Sequence, residues 1–377
     1  MQQYKDYLIS EGVTEDQIIY LNFEELENEE LCNYKTLYDH IIKSINKERW
    51  TYIFLDEIQK VADFEKAVDS LYVKDNVDIC ITGSNAYLLS GELATLLSGR
   101  YVEIAMLPFS FKEYCSIKNS TENADALFAE YLRDGGFPYI SVMDKTTEKV
   151  NTYLEGIFNT IVLKDIEERQ KRKNIDPEKR KVHDIALLKS IAKYLASSVG
   201  NLVSTKSISD YISSSYKKVS QNTVSDYISA LEESFIFYSV ERFNVIGKEI
   251  MRNSRKLYIA DLGLRRYLLS RKSYELGFSI ENIVFLELLR RGYKVSVGKI
   301  GDAEVDFIAE KNVRRYYFQI TANMTDEKTF EREMRPLRNI KDNYPKTILT
   351  LDRFTLGDYE GINVVNVVDW LLDKSQI

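Results

Sequence analysis

The sequence has few of the side chains that form disulfides or bind transition metals. Among its 377 residues there are three cysteines and two histidines. A zinc site needs about four cysteine or histidine ligands at close spacing, so such a site is nearly excluded. The cysteines form no CxxC pair, and Cys80 lies within the apolar run DICIT, where a reduced and buried thiol is expected.

Long apolar segments are absent too. No window reaches the roughly eighteen apolar residues that a membrane-spanning helix needs, and the first residues, MQQYKDYLIS, lack the apolar core of a signal peptide. We therefore expect a cytoplasmic protein with no membrane partner. Its 44% hydrophobic and 29% charged residues are ordinary for a globular protein, and its length predicts roughly two to four domains.

The charge is unevenly distributed along the chain. The net charge of −7 argues against a general nucleic-acid coat. Residues 180–269, however, contain 14 Lys or Arg against 8 Asp or Glu, a balance of +6 that leaves −13 for the remainder. The sequence therefore predicts one basic domain within an acidic protein.

The N-terminal part alternates strand and helix patterns. Apolar runs IIYLN, YIFLD and VDICIT are separated by segments with helical spacing, such as LCNYKTLYDHIIKSI. This order is typical of a parallel sheet covered by helices, which binds ligands at the carboxyl ends of its strands. Asp56 and Glu57 lie at such an end.

The pattern IFLDE matches a Walker B motif. In P-loop nucleotide hydrolases the first acid holds the water shell of Mg²⁺ and the second orients the attacking water, roles that fall here to Asp56 and Glu57. The next strand ends in TGSN, where Ser84 and Asn85 are candidates to sense the γ-phosphate. The alternative is that the two acids merely begin a helix, because carboxylates are favourable near a helix N-terminus.

Four motifs in order, LDEIQ, TGSNAYLLS, LSGRYVEIAMLPFSFKEY and YLRDGGFPYI, resemble the AAA-type ATPase family that carries a C-terminal DUF4143 domain. The resemblance implies ATP and Mg²⁺ as cofactors in complete members. It assigns catalysis to Asp56, Glu57, Asn85 and Arg100, nucleotide binding to Asp56, Ser84 and Asn85, and the metal to Asp56. Arg100 would stabilise charge on the transferred phosphate, or alternatively form a surface ion pair.

The phosphate-binding loop of that family has no counterpart in the sequence. The motif GxxxxGK[ST] wraps phosphates with glycine amides and neutralises them with its lysine. Only Gly247 and Gly298 precede a lysine, and neither has a glycine five residues earlier. We therefore expect a chain that starts too late or a decayed copy, with weak nucleotide binding and little or no hydrolysis.

The resemblance predicts four domains of a mixed α/β fold. These are a parallel-sheet P-loop NTPase remnant without its loop, a helical lid, a winged helix and a restriction-endonuclease-like DUF4143 domain. The predicted bounds are 1–115, 116–178, 179–272 and 273–377.

Within the basic domain, three amphipathic helices followed by two strands are typical of a winged helix. The third helix of that fold can enter a DNA major groove. The candidate DNA contacts are Lys217, Lys218, Gln221, Asn222, Arg255 and Lys256. Alternatively, the domain only packs against a protein partner, another domain or a second copy of the chain.

The last domain resembles restriction-endonuclease-like nucleases at two of their three metal-site positions, the third being a pair of a carboxylate and a lysine. Glu281 on a helix and Asp306 on a strand match the Mg²⁺-binding acids, whereas Gln319 and Thr321 replace the usual carboxylate and lysine. Without that charge and that cation, we expect a degenerate site rather than an active nuclease, with Glu304 solvated. The alternative function is then a scaffold that binds nucleic acid or protein.

Overall fold

The computed structural model describes residues 1–83, 100–118, 123–144, 146–160, 182, 184–215, 218–269 and 276–374, with the side chains of all of these except 252–254. The chain forms two compact units, Met1–Ile104 and Ala105–Ile377. Within the described ranges, no helix is long and apolar enough to cross a membrane. Ser84, Asn85 and Lys217 lie outside the described residues.

The first unit is built on three parallel strands in the order β1-β2-β3. The strands are β1 (Ile18–Asn22), β2 (Thr51–Asp56) and β3 (Val77–Ile81). The helices are α1 (Gln2–Ser10), α2 (Tyr34–Ser44) and α3 (Phe64–Tyr72), with 3₁₀ turns at Glu15–Gln17, Leu26–Leu31 and Ile58–Lys60. The parallel pairing agrees with the strand and helix pattern of the sequence.

The central strand β2 explains why this unit folds. Ile53 and Leu55 are fully buried and pack with Leu37 of α2 and Leu71 of α3. The sequence of a strand covered on both faces is a continuous run of apolar residues, and YIFL is such a run. The register places Asn22 beside Asp56 and Leu55 beside Ile81, so the carboxyl ends of the three strands form one edge.

The strand β3 has a different environment from β2. Among the described residues its only strand neighbour is β2, and each of its five side chains is at least partly exposed. Apolar side chains such as Ile79 and Ile81 are usually buried in a parallel sheet. The outer edge of β3 is therefore a place where the described part of this sheet is open to a further strand.

The second unit contains eleven described helices and nine strands. The helices are α4 (Phe111–Ile117), α5 (Ala124–Asp134), α6 (Pro138–Val142), α7 (Thr147–Asn159), α8 (Ile185–Ser197), α9 (Thr205–Ser215), α10 (Gln221–Glu233), α11 (Leu262–Leu268), α12 (Leu276–Arg290), α13 (Glu327–Arg338) and α14 (Val367–Leu371). The strands are β4 (Leu202–Val203), β5 (Phe237–Asn244), β6 (Glu249–Ile259), β7 (Lys294–Ile300), β8 (Ala303–Lys311), β9 (Arg314–Thr321), β10 (Lys346–Thr350), β11 (Gly357–Tyr359) and β12 (Ile362–Asn366).

All nine strands belong to one sheet, in the order β11-β12-β10-β9-β8-β7-β5-β6-β4. The hairpin β5–β6 is antiparallel, and β5 also pairs in parallel with β7 through Arg242 beside Val297. The sheet therefore continues across the predicted domain boundary at residues 272 and 273. The helices α8, α9 and α10, with β4 and the hairpin, occupy the segment for which a winged helix was predicted.

A buried carboxylate joins the GGFP turn to the start of α11. Asp261 accepts hydrogen bonds from the N–H groups of Gly136 at 2.6 Å and Leu264 at 3.0 Å. Burial raises the pKa of Asp261 to about 6, against the opposing effect of these N–H groups and those of Gly263 and Phe137. The turn thus has an architectural role, in keeping with its two glycines and proline.

Candidate functional site

The carboxyl edge of the three-stranded sheet places Asp56 among hydroxyl groups. The Asp56 carboxylate accepts a hydrogen bond from the Tyr20 hydroxyl at 3.1 Å and another from the Thr82 hydroxyl. Tyr20 lies on β1 and Thr82 directly follows β3, so all three strands contribute to this point. Burial, and then the bond to Asp56, raises the pKa of Tyr20 above its ordinary value, which keeps its proton available to the carboxylate.

Glu57 has a backbone conformation that sets it apart from an ordinary strand or helix residue. Its φ of 55° lies in the left-handed region, and its N–H donates to the Thr82 hydroxyl at 3.3 Å. The Gln59 amide donates to its carboxylate. Glu57 precedes the 3₁₀ turn Ile58–Lys60 without a side-chain capping hydrogen bond. Glu57 thus stands at the N-cap position of this turn, and the alternative that the two acids begin a helix through its dipole stays an alternative.

These groups suit one half of a Mg²⁺–nucleotide site. Asp56 and Glu57 offer two half-buried carboxylates, and the Thr82 hydroxyl is bound to the Asp56 carboxylate and to the Glu57 N–H. Carboxylate and hydroxyl oxygens are groups that suit the hydrated shell of Mg²⁺. The phosphate side is different, because the nearby Lys60 ammonium is paired with Glu24 at 3.3 Å. Asp56 would hold the metal through its water shell.

Arg100 contacts helix α3. Its guanidinium lies 3.1 Å from the Asp69 carboxylate and 5.7 Å from the centre of the Tyr72 ring. Both partners are exposed, so the contact is worth little stability. Its described contacts do not include Asp56 or Glu57, and the surface ion pair that the sequence left open is the arrangement seen here.

A second cluster of charges lies in the large sheet, around Lys256 of β6. The Lys256 ammonium is 3.0 Å from Glu281, 2.8 Å from Glu304 and 3.9 Å from Asp306. Only 4% of Lys256 is exposed. Lys256 was predicted to contact DNA, and that prediction is wrong because its ammonium is enclosed by carboxylates.

The acids of this cluster have further donors. The Tyr258 hydroxyl donates to Glu281 at 2.6 Å, and the N–H of Ile320 donates to Asp306 at 2.8 Å. Glu304 also lies 3.5 Å from the Arg242 guanidinium. The prediction that Glu304 is simply solvated is therefore corrected, since two cations hold it.

Burial and charge act in opposite directions on these groups. Burial lowers the pKa of Lys256, but the carboxylates of Glu281, Asp306 and Glu304 outweigh it and raise the pKa above the ordinary lysine value. Burial raises the pKa of Asp306 well above its usual range. Lys256 is thus a charged ammonium among acids that are costly to ionise.

Gln319 and Thr321 face other partners. The Gln319 amide donates to Glu333 at 2.9 Å, and its carbonyl accepts the N–H of Asp306 at 3.4 Å. The Thr321 hydroxyl donates to the carbonyl of Asn323 at 3.0 Å. In the described residues, no group of three or more His, Cys, Asp or Glu side chains is arranged to hold a metal ion.

The start of α10 is exposed, as a DNA-contacting helix end must be. Lys218, Gln221 and Asn222 are exposed, and the Ser220 hydroxyl caps the helix by accepting the N–H of Thr223 at 3.1 Å. Arg255 is instead paired with Glu232 at 3.3 Å and is about one-third exposed. Of the candidate DNA contacts that the structure describes, three remain accessible.

Sequence reasoning missed the role of Lys256 and its neighbour Tyr258. The two are separated by one residue on a strand, so their side chains point to the same face. The spacing K-x-Y before the helical Glu281 was a signal that both could reach the acids. The missing information was the pairing of β5 with β7, which brings the two parts of the chain together.

Family profiles match two parts of the chain. A profile described as an AAA domain matches residues 1–115, and one described as domain of unknown function DUF8612 matches residues 125–275. The first contains the Asp56 edge. The second covers the segment predicted as lid and winged helix, and the predicted DUF4143 domain stays a prediction.

Two curated relatives match nearly the whole chain. An uncharacterised protein of Haemophilus influenzae is 41% identical over 376 residues, covering 99% of this chain and 90% of its own. An uncharacterised protein of Methanocaldococcus jannaschii is 30% identical over 387 residues, covering 95% and 82%.

Two solved structures show weak similarity. The Walker-type ATPase PABY2304 of Pyrococcus abyssi is 18% identical with a TM-score of 0.36, covering 62% of this chain and 66% of its own. The protein VC1899 of Vibrio cholerae is 10% identical with a TM-score of 0.20, covering 90% and 77%.

Proposed function

This chain belongs to the family of its Haemophilus influenzae and Methanocaldococcus jannaschii relatives, and we propose that its AAA domain binds Mg²⁺–ATP through Asp56 and Glu57. That domain is the part matched by the AAA profile, residues 1–115. Without a phosphate-binding loop, this binding is weak. Asp56 would hold the hydrated metal, and Glu57 would orient the water that attacks the γ-phosphate.

The observation that carries this proposal is the position of Asp56. It ends the central strand at the carboxyl edge of a parallel sheet, where nucleotides bind in open α/β folds. Its oxygens are held by Tyr20 and Thr82 from the two neighbouring strands. Fixed, partly buried carboxylates of this kind bind a cation with little reorganisation.

The phosphate side requires a further segment. A glycine-rich loop normally follows a strand of the same sheet, and the sequence has no such motif. The open edge of β3 is the place beside Asp56 where a strand carrying that loop would pair. Nucleotide affinity should therefore rise when such a segment is supplied, and stay low with residues 1–377 alone.

Equilibrium binding of a fluorescent ATP analogue, with and without Mg²⁺, tests the proposal. Replacing Asp56→Asn removes one charge with little change of shape, and should weaken the Mg²⁺-dependent part of binding roughly tenfold to a hundredfold. The matched control is Asp78→Asn, an exposed carboxylate on β3. Equal Mg²⁺ dependence in wild type and Asp56→Asn would refute the assigned role.

A second candidate function is weak binding of DNA by the start of α10. It rests on the exposure of Lys218, Gln221 and Asn222 and on the helix–helix–hairpin order of α9, α10 and β5–β6, which supports a winged helix. Phosphate contact by one or two lysines would be non-specific and sensitive to salt. A protein or nucleic-acid scaffold of this kind would act without nucleotide.

A further inference from the structure

The acids that the nuclease resemblance marks as metal-binding enclose an ammonium group. Lys256 is contributed by β6, and the acids by α12 and β8, which come together because one sheet spans both regions. Its nitrogen is 3.0 Å from Glu281 and 2.8 Å from Glu304. A divalent cation that bridged these acids would occupy the same space as this ammonium.

Two of these acids have further donors, Tyr258 at the same Oε1 of Glu281 that Lys256 contacts and a backbone N–H at the second oxygen of Asp306. Tyr258 donates to Glu281 at 2.6 Å, and the N–H of Ile320 donates to Asp306 at 2.8 Å. The side chain at the third ligand position, Gln319, is bound to Glu333. Hard cations need several oxygens that converge without competing donors. The residues present therefore do not fit Mg²⁺.

The charges of the cluster are nearly balanced without a metal. Three carboxylates face Lys256, and the one with the greatest exposure, Glu304, also lies 3.5 Å from Arg242. Removing Lys256 would leave acids in a buried site with one cation at its rim. Uncompensated buried charges of this kind are strongly destabilising, and they are the usual setting for a metal ion.

We propose that the Lys256 ammonium takes the place that a divalent cation holds in the nuclease site that these acids resemble. Its ammonium binds Glu281, Glu304 and Asp306 and so fastens β6 to α12 and β8. An ammonium cannot bind a water molecule as a Lewis acid does, so the cluster does not generate a metal-activated nucleophile. The site is structural, and it is stable in the absence of metal.

The test measures Mn²⁺ binding and thermal unfolding of the full chain. All proteins carry Asp56→Asn, so that the AAA domain does not contribute a metal site. In this background, Lys256→Ala should lower the Tm of the second unit by about 5–10 °C, and millimolar Mn²⁺ should restore part of that loss. Lys294→Ala, at an exposed lysine of β7, is the matched control and should show neither effect.

Several outcomes would overturn the proposal. One is a chain with Lys256 intact, in the same Asp56→Asn background, that takes up one Mn²⁺ ion by electron paramagnetic resonance and loses it in Glu281→Gln. A second is Lys256→Ala protein whose Tm does not respond to Mn²⁺. A third is Mg²⁺-dependent cleavage of DNA that disappears in Lys256→Ala, which would make Lys256 a catalytic cation. If Lys256→Ala does not fold, the Mn²⁺ measurement on the Asp56→Asn chain with Lys256 intact decides.

Discussion

Gly263 lies where a side chain has no room. An ideal Cβ at this position would be 2.2 Å from the carbonyl oxygen of Asp134 and 2.9 Å from the carboxylate of Asp261. The first contact is with backbone, which cannot rotate away. Overpacking in a buried site costs about 1–3 kcal/mol, and a clash with backbone belongs at the upper end of that range or above. We expect Gly263→Ala to lower the free energy of unfolding of the second unit by about 3 kcal/mol.

The chain supplies both a probe and a control for this measurement. Trp370 is buried in the second unit and Trp50 is exposed in the first, so a change in tryptophan fluorescence reports mainly on the second unit. Gly156, in the helix α7, has nothing within 4 Å of an added Cβ, and Gly156→Ala should stabilise by about 0.5–1 kcal/mol. The predicted loss for Gly263→Ala corresponds to a Tm lower by about 5–10 °C. Equal stability of wild type and Gly263→Ala would refute the close approach of the GGFP turn.

Two further predictions concern pH and DNA. The pKa of Asp261 in the folded state, about 6, exceeds the ordinary value of 3.8. Between these two pH values the folded state keeps a proton that the unfolded chain releases. The free energy of unfolding should therefore fall by about 3 kcal/mol as the pH rises from 3.8 to 6. Asp261→Asn should lack this loss in urea unfolding from pH 4 to 7, and parallel pH curves for the two proteins would contradict the assignment. For DNA, Lys218→Ala should weaken binding several-fold and reduce the slope of log K against log salt concentration by about one. Lys294→Ala should change neither quantity. Binding that is unchanged in Lys218→Ala would exclude the start of α10.

Elements with a strong local signal could be predicted from the sequence. The apolar run before Asp56 predicts a buried strand because a strand covered on both faces needs continuous apolar side chains, and Ile53 and Leu55 are fully buried. The helix α10 begins where Ser220 predicts a cap. In each case residues close in sequence determine the structure.

Features that depend on distant pairing could not be predicted in this way. The parallel pairing of β5 with β7 joins residues 55 positions apart, such as Arg242 and Val297, and leaves no periodic pattern at either strand. It decides that Lys256 faces Glu281 and not solvent. The sequence therefore predicts Lys256, on or near the wing of a winged helix, as a DNA contact, because local pattern does not reveal which face of a sheet is covered.

The same pairing changes what the basic segment can do. A charge count over residues 180–269 treats every cation alike, whereas Lys256 is enclosed by acids, and Arg265 is buried with its guanidinium bound to Ala196 and Ser279. Arg242 is directed toward Glu304 and Arg255 toward Glu232. Much of the positive surplus therefore stabilises the fold instead of forming a surface field. Because long-range attraction of nucleic acid depends on exposed charge, these four cations add little to it, and the DNA binding proposed for the start of α10 would be a weak, local contact.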